Sequence, residues 1–284
     1  HKYSKIKKKL TSITTKMSET TEISVSFTAK VIAAGRAIET QRPDALFHDP
    51  MAAQLAGKEA IEAAIPLLEE YEKQGRPFTS VRTRFFDDFL KDCFGHIRQI
   101  VLLGSGMDTR TFRLNWQSKT HVYEIDLPDV LLYKESVLNG MTPKCDRHSI
   151  CADLKDSLWV QLLLEKGYQP SEPSIWILEG FLYYLNPTEV ENLLTNITNL
   201  SVAGSYLGVD VINTVICNGS DDWAKYWLSS CDNPESFFAA YGWNASAIQP
   251  GEEGASFGRF TYQFPARNVP DAPHIFFVKA IKEH

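Results

Sequence analysis

The sequence predicts an α/β domain built on a doubly wound, mostly parallel β-sheet. Beyond residue 98, five short apolar runs alternate with helical stretches, and strands separated by helices form parallel βαβ units. The first third of the chain is predicted to be all helical, and two alternating stretches close the chain. The five runs lie at residues 99–103, 121–125, 148–152, 174–178 and 205–212.

Spacing and breaker residues place the other elements. Helices are expected at 26–40, 51–74 and from residue 78, where apolar residues recur at intervals of three and four. Four further helices are expected between the strands, at 109–114, 128–139, 157–166 and 187–200. The last two alternating stretches, 258–264 and 274–281, are predicted to form a terminal antiparallel pair.

Composition excludes several classes of protein. Of the 284 residues, 44% are hydrophobic and 23% charged, which is ordinary globular composition. A net charge of −6 disfavours broad phosphate neutralisation on nucleic acid. No apolar run approaches the roughly 18 to 20 residues needed to cross a bilayer. The five cysteines form no ligand motif, so we expect reduced thiols in a cytoplasmic protein without a metal site or a membrane partner.

The chain is expected to hold one domain with an added cap. Residues 1–20 include six lysines and are predicted to be a poorly ordered leader or linker, followed by one domain over 21–284. Cap elements are expected at about 24–95 and 213–257, in a monomer or homodimer. The aromatic residues of the second cap segment are predicted to line an acceptor pocket, or alternatively to fill a helical core or a dimer contact. The candidates for the pocket are Trp223, Trp227 and Tyr241.

A glycine-containing turn follows the first predicted strand. Gly104, Ser105 and Gly106 run into a helix, so the backbone can approach a ligand and the helix start offers free N–H groups. A tight turn without a ligand is the alternative for this motif alone. A dinucleotide site needs a small residue where Thr109 stands, and Asp108 would repel a pyrophosphate. S-adenosylmethionine, with an ammonium and a sulfonium but no phosphate, fits better than NAD.

Acidic side chains end the next three strands. Asp126 can accept hydrogen bonds from both ribose hydroxyls, with Glu124 on the same face as the alternative. Asp153 can accept from an adenine amino group, and Leu154 can cover the ring. Glu179 ends a buried apolar run, where an acid is costly unless paired or used, so we expect it beside the cationic end of the ligand. Each could alone be a solvated strand-end charge.

Together these segments resemble the leucine carboxyl methyltransferase family and its large bacterial branch of S-adenosylmethionine-dependent methyltransferases. The most specific part is the Gly-Met-Asp-Thr-Arg run at 106–110 combined with Glu-x-Asp-x-Pro at 124–128. The resemblance implies a Rossmann-like class I methyltransferase with a seven-stranded sheet. The matching segments are 28–36, 46–50, 81–83, 104–110, 123–128, 152–154, 179–184 and 275–278.

The resemblance also implies roles for particular residues. Arg82 matches an arginine that grips the cofactor carboxylate, and Lys30 falls near a cofactor-contacting lysine. An arginine near a helix start is disfavoured by the macrodipole, so Arg82 is expected to have an anionic partner. An ion pair with Asp87 or Asp88 is the alternative. The remaining cofactor contacts are expected from Gly104, Asp126, Asp153, Leu154 and Glu179.

These expectations predict an S-adenosylmethionine-dependent O-methyltransferase that releases S-adenosylhomocysteine. Methylation of a carboxylate on a small molecule is favoured, because a carboxylate is ionised at neutral pH and needs no general base. Tyr183 and Tyr184 are the candidate catalytic contacts, whereas His48 and His148 are expected to be structural. The alternatives are methylation of a hydroxyl on a secondary metabolite, a catalytically silent binding protein, and a less favoured NAD-dependent oxidoreductase.

Overall fold

The computed structural model describes residues 21–220 and 223–284. The predicted leader at 1–20 lies outside the described residues. Helices are α1 (Thr21–Thr40), α2 (Ala52–Lys73), α3 (Phe78–Cys93), α4 (Arg110–Arg113), α5 (Pro128–Val137), α6 (Leu158–Glu165), α7 (Pro187–Asn199), α8 (Thr214–Cys217) and α9 (Pro234–Ala239). Strands are β1 (Gln99–Leu103), β2 (His121–Asp126), β3 (Asp146–Cys151), β4 (Ser174–Leu178), β5 (Tyr206–Ile212), β6 (Trp243–Ile248) and β7 (Ile275–Lys282). Short 3₁₀ helices lie at Leu182–Tyr184 and Ala224–Tyr226.

The strands form one sheet in the order β3-β2-β1-β4-β5-β7-β6. Strands β1 to β5 are parallel, and β7 runs antiparallel to both β5 and β6. The strand order reverses between β1 and β4, which is where open sheets of this kind leave a crevice at their carboxyl ends. The predicted α/β class, with a mostly parallel seven-stranded sheet and a terminal antiparallel pair, is confirmed.

One partner in that antiparallel pair was predicted wrongly. The last strand pairs with β6, whereas residues 258–264 form turns and irregular chain. Alternation in that segment comes from Phe260, Tyr262 and Phe264, which pack into the core cluster beneath α3. The N–H groups of Thr261 and Tyr262 donate to the carbonyl of Gly75 instead of to a strand. The alternation of apolar residues in this segment therefore reflects the packing of a loop, not the pairing of a β-strand.

Helix α3 is fixed on one face of the sheet by phenylalanines. Phe85 and Phe89 are buried, and the ring centroid of Phe85 lies 4.9 Å from that of Phe277 in β7. Gly208 in β5 leaves the space for this contact, since a Cβ there would lie 2.6 Å from the Phe89 ring. The other face of the sheet carries α6, α7 and α9 over a second cluster. Packing thus fixes the position of α3, which carries Arg82.

A buried ion cluster joins β2, α5 and β3. The Glu124 carboxylate is fully buried and accepts from Lys134 Nζ at 2.7 Å, Arg147 Nη2 at 2.7 Å and Thr111 Oγ1 at 2.9 Å. Lys134 is fully buried as well. Burial alone would raise the pKa of Glu124, but the two cations hold it below its ordinary value. Glu124 therefore acts as a structural anion within the sheet.

No helix in the described parts of the chain has the length and apolar composition that a bilayer crossing requires.

We expect the substitution Glu124→Gln to lower the free energy of unfolding by about 3 to 5 kcal/mol, because two buried cations lose their counter-charge. Urea denaturation measures this loss. Glu135→Gln is the matched control, since Glu135 binds the same Arg147 with a side chain that is 44% exposed, and its loss should stay below about 1 kcal/mol. Equal, small losses in both variants would contradict the structural role of Glu124.

Candidate cofactor site

A cavity of about 400 Å³ opens at the carboxyl ends of β1 to β4. This volume lies within the range of small-molecule sites, and its position is the ligand crevice of open α/β sheets. The cavity is lined by the turn after β1, the ends of β2, β3 and β4, helix α1 and the segment after β5. Eight predicted cofactor residues line it: Arg82, Gly104, Ser105, Gly106, Asp126, Asp153, Leu154 and Glu179.

The turn after β1 requires its glycines. Gly104 and Gly106 have φ values of 66° and 48°, in the left-handed region. A Cβ on Gly104 would also lie 2.5 Å from the ring of Phe181. The turn can therefore lie against Phe181 while exposing its backbone to the cavity.

Asp126 is fixed by backbone donors. The N–H of Gly106 donates to Oδ2 at 2.6 Å, and the N–H of Leu127 donates to Oδ1 at 2.7 Å. A carboxylate offers about four acceptor positions, so each oxygen retains one for a ribose hydroxyl. Burial raises the pKa of Asp126 above its ordinary value, although the two N–H groups oppose this. Glu124, the alternative ribose residue, is not among the cavity-lining residues.

Asp153 and Leu154 form the next part of the wall. Asp153 is exposed, and its Oδ1 accepts from the N–H of Lys155 at 2.9 Å. Leu154 is buried and belongs to the core cluster on that face of the sheet. An exposed acceptor beside a fixed apolar surface matches the requirements of an adenine ring.

Glu179 lies between two buried arginines at the end of β4. Its Oε1 is 3.3 Å from Arg82 Nε, and its Oε2 is 2.6 Å from Arg110 Nη1. The next residue, Gly180, has φ 66°, and a Cβ there would lie 2.9 Å from Arg82 Nη1. The glycine thus makes room for the arginine that holds Glu179.

Arg82 has anionic partners, but not those proposed as the alternative. Its Nη1 lies 3.1 Å from Asp210 Oδ2 and donates to Tyr183 Oη at 3.3 Å. Burial alone would lower the pKa of Arg82, but Asp210 and the other nearby acceptors raise it above its ordinary value. Asp87 pairs instead with Arg110 and Arg113, and Asp88 with Arg84. The alternative ion pair of Arg82 with Asp87 or Asp88 was therefore wrong.

Three arginines and four carboxylates make up this ion cluster. Its members are Arg82, Arg110, Arg113, Asp87, Asp108, Glu179 and Asp210. When all are ionised the cluster carries one net negative charge, which suits a ligand with a cationic end. Asp108 contributes to it, because Arg110 overcomes the effect of burial and lowers the pKa of Asp108 to about 2. Its charge is neutralised by Arg110, which weakens the sequence argument that Asp108 repels a pyrophosphate.

Two buried hydroxyls in the cavity wall have no hydrogen-bond partner within the described chain. They are Thr83 Oγ1 and Ser105 Oγ, and both residues line the cavity. Buried polar atoms are normally satisfied, so a polar ligand is the natural partner. The glycine turn, the net negative cluster and these hydroxyls fit S-adenosylmethionine.

Several predicted site residues lie outside this cavity. Lys30 places its Nζ 3.8 Å from the ring centroid of Tyr133 and is not among the lining residues. Trp223 and Trp227 flank the short helix Ala224–Tyr226 but do not line the cavity themselves. Tyr183 and Tyr241 line a second cavity of about 260 Å³.

Other lining residues were missed by sequence reasoning. Thr83 gives no local signal, because its hydroxyl has no partner within the described chain, and two of the carboxylates that bind Arg110 come from distant segments. Lys225, Tyr226 and Leu228 line the cavity and belong to the predicted second cap segment. The aromatic pattern of that segment indicated its tryptophans and Tyr241 instead. Arg110 does fall in the Gly-Met-Asp-Thr-Arg run, which was the available signal.

The fold and the cavity define a class I methyltransferase architecture with a site for a cationic nucleoside. A Thermobifida fusca crystal structure matches with a TM-score of 0.57 at 17% identity, covering 90% of this chain and 94% of that one. A Streptomyces avermitilis structure of the DUF574 family matches with a TM-score of 0.56 at 14% identity, covering 88% and 96%. At these identities the likeness supports the fold alone.

Sequence comparison is more specific. The family model described as leucine carboxyl methyltransferase matches residues 29–198. A relative in Saccharopolyspora erythraea is 34% identical over 257 residues, covering 83% of this chain and 88% of the relative. A relative in Streptomyces avermitilis is 36% identical over 248 residues, covering 82% and 87%. Both are named S-adenosyl-L-methionine-dependent methyltransferases.

The chain belongs to the leucine carboxyl methyltransferase family. It is an S-adenosylmethionine-dependent methyltransferase, which confirms the predicted family, enzyme class and cofactor.

We expect Asp126→Asn to weaken binding of S-adenosylhomocysteine about 10- to 100-fold, because charge-assisted hydrogen bonds to ribose are lost. Isothermal titration calorimetry measures the affinity. Asp129→Asn on the exposed side of α5 is the matched control and should change affinity less than twofold. Unchanged binding in Asp126→Asn would remove Asp126 from the ribose contact.

The affinity should also depend on pH. Ribose hydroxyls donate to the ionised carboxylate, and burial raises the pKa of Asp126. Affinity should therefore fall on acidification, starting at a higher pH than an ordinary aspartate would give. The Asp126→Asn variant should show a flatter profile over the same range. Parallel profiles in the two proteins would assign the titration to another group.

Proposed function

We propose that this enzyme transfers the methyl group of S-adenosylmethionine to a carboxylate of a small molecule, such as a natural-product intermediate, forming a methyl ester. One observation carries the proposal: no described residue that lines the cavity is a histidine or cysteine. Two of the lining carboxylates, Asp108 and Glu179, are bound to arginines. A hydroxyl acceptor would require a base near neutral pKa, whereas a carboxylate is already ionised.

The cap supplies groups that suit a carboxylate. Lys225 is exposed and lines the cavity beside Tyr226. Tyr184 lines the same region, and burial raises the pKa of its phenol above the ordinary value. The phenol therefore stays protonated and can donate a hydrogen bond to an anionic acceptor. Of the two tyrosines considered as catalytic contacts, Tyr184 is the one that lines this cavity.

Catalysis by these residues consists mainly of positioning. S-adenosylmethionine supplies an electrophilic methyl group when bound. Glu179, held by Arg82 and Arg110, belongs to the net negative cluster that faces the cationic end of the ligand, and this rigid cluster needs little reorganisation during the reaction. Phe181 and Leu228 add apolar surface to the cavity wall. In-line approach of an oriented, partly desolvated carboxylate is sufficient for transfer.

The second cavity can hold the rest of the acceptor. It shares Leu228 with the cofactor cavity, so the two spaces adjoin at that side chain. Its wall is mostly apolar and includes Val190, Val211 and Phe237, with Tyr241 beside them. This arrangement supports an acceptor with an apolar body and one carboxylate. We expect a free small molecule as acceptor, with no nucleic acid or membrane partner, and a monomeric or homodimeric cytoplasmic enzyme.

A screen of labelled cofactor against carboxylic acids and phenols tests the acceptor class. Methyl esters are released by mild base and methyl ethers are not, so mass spectrometry before and after base treatment separates the products. We expect base-labile products and a rate that is flat between about pH 6 and pH 8. Base-stable products alone would favour the hydroxyl alternative. Tight cofactor binding without turnover across the screen would favour a silent binding protein.

We expect Lys225→Met to raise the KM of a carboxylate acceptor about 3- to 10-fold with little change in cofactor affinity, because one cation near the carboxylate is lost. Lys225→Arg keeps a cation at this position and should leave the KM close to that of the parent enzyme. Lys155→Met is the matched control, since Lys155 lines the cavity beside Asp153 at the expected adenine end. A larger KM change in the control would place the acceptor elsewhere.

We expect Tyr241→Ala to raise the acceptor KM or lower turnover while leaving cofactor affinity within about twofold. The reason is that Tyr241 lines the second cavity and not the cofactor cavity. Steady-state kinetics, calorimetry and thermal unfolding are compared for the variant. Equal loss of cofactor binding and thermal stability would show that Tyr241 is a core residue.

A further inference from the structure

Two histidines and an aspartate meet at the amino-terminal edge of the sheet. His121 begins β2 and Asp146 begins β3, and the two are paired in the parallel register. His148 lies two residues beyond Asp146, opposite Tyr123. Side chains alternate along a strand, so Asp146 and His148 project from the same face as His121. The register of the sheet therefore assembles this group, which no sequence motif indicates.

The three ligand atoms have the spacing of a coordination sphere. His121 Nδ1 lies 2.9 Å from Asp146 Oδ2 and 3.2 Å from His148 Nε2, and the third side of the triangle is 3.5 Å. Two ligands bound at about 2.0 to 2.1 Å from one ion lie about 3.4 Å apart in tetrahedral geometry and about 2.9 Å apart in octahedral geometry. One ion can therefore reach all three atoms with only small side-chain adjustments.

Ring stacking holds the two imidazoles in place. The His148 ring lies 4.7 Å from the Tyr123 ring at 16° between planes, and 5.5 Å from the His121 ring at 21°. Ligands whose rotamers are fixed by packing lose little freedom on binding. The Asp146 side chain is 56% exposed and that of His121 is 42% exposed. Solvent can therefore reach the group, admit an ion and supply its remaining ligands.

The chemistry of the donor set selects the kind of ion. Two imidazole nitrogens and one carboxylate oxygen suit zinc and similar divalent ions, whereas calcium and magnesium prefer oxygen ligands.

We propose that His121, Asp146 and His148 form a binding site for a divalent transition-metal ion of the zinc type, completed by solvent. Residues 121 and 126 are the two ends of β2, about 16 Å apart, so the metal site is remote from the cofactor cavity. The ion fastens the edge strand β3 to β2. It stabilises the fold and takes no part in methyl transfer.

Calorimetric titration of the chelator-treated protein with zinc chloride tests this site. We expect one ion per chain and a rise in Tm of about 5 °C at free zinc a hundredfold above Kd, with no shift in magnesium. His148→Gln and Asp146→Asn should each weaken zinc binding at least tenfold. His96→Gln, an exposed histidine outside the group, is the matched control and should bind zinc within twofold of the parent protein.

X-ray absorption of the zinc-loaded protein supplies an independent measurement. We expect only nitrogen and oxygen neighbours at about 2.0 to 2.1 Å. A sulfur neighbour at about 2.3 Å would mean that thiols such as Cys145 or Cys151 bind the ion, and would overturn the proposal. Undiminished zinc affinity in His148→Gln would also overturn it. Affinity for S-adenosylhomocysteine should be unchanged in every variant, because the metal site lies at the amino-terminal ends of the strands and the cofactor cavity at their carboxyl ends.

Discussion

The contact of Glu179 with Arg82 and Arg110 is the constraint on which the cofactor cavity depends, at the carboxyl ends of the parallel strands. An ion taken out of water costs several kcal/mol, and the cost is recovered only if every charge finds partners with good geometry. Arg82 reaches on to Asp210 in β5, and Arg110 reaches on to Asp87 in α3. These ion pairs tie α3 to α4, to β5 and to the chain that follows β4, so these parts cannot move independently around the cavity.

Apolar packing determines whether this ion cluster can form. Arg82 is near the start of α3, and the helix lies close enough to the sheet only because Phe89 fits over Gly208. Gly180 likewise leaves room for the guanidinium of Arg82, because a Cβ at this position would lie 2.9 Å from Nη1. Two glycines and a phenylalanine thus position the charges by leaving or filling space, and the N–H of Gly180 also donates to Asp210 Oδ1 at 2.6 Å. The fold and the site are consequently coupled through shape.

The sequence predicted some features well because their signals are local. Strands β1 and β4 matched their predicted bounds, since the four consecutive apolar residues in each, at 100–103 and 175–178, reflect burial on both faces. The acids at the ends of β2 and β4 could be anticipated, because parallel strands bring their carboxyl ends to one edge. The strand that pairs with β7 could not be anticipated, because the alternation around Phe260 and Tyr262 is equally compatible with a packed loop. Aromatic density near Trp227 likewise did not show which side chains face a ligand.

Strand β2 shows why position along a strand decides what a polar residue does. Glu124 lies within the strand, where α5 covers it and supplies Lys134, so its carboxylate is used entirely for structure. Asp126 is on the same face but at the last position, where the following chain turns away and the cavity begins. His121 occupies the first position, at the amino-terminal end of the strand, where the register with β3 places Asp146 beside it. The residue types alone would have suggested three similar charged or titratable sites. Their depth in the sheet separates a structural anion, a candidate ribose acceptor and a candidate metal ligand.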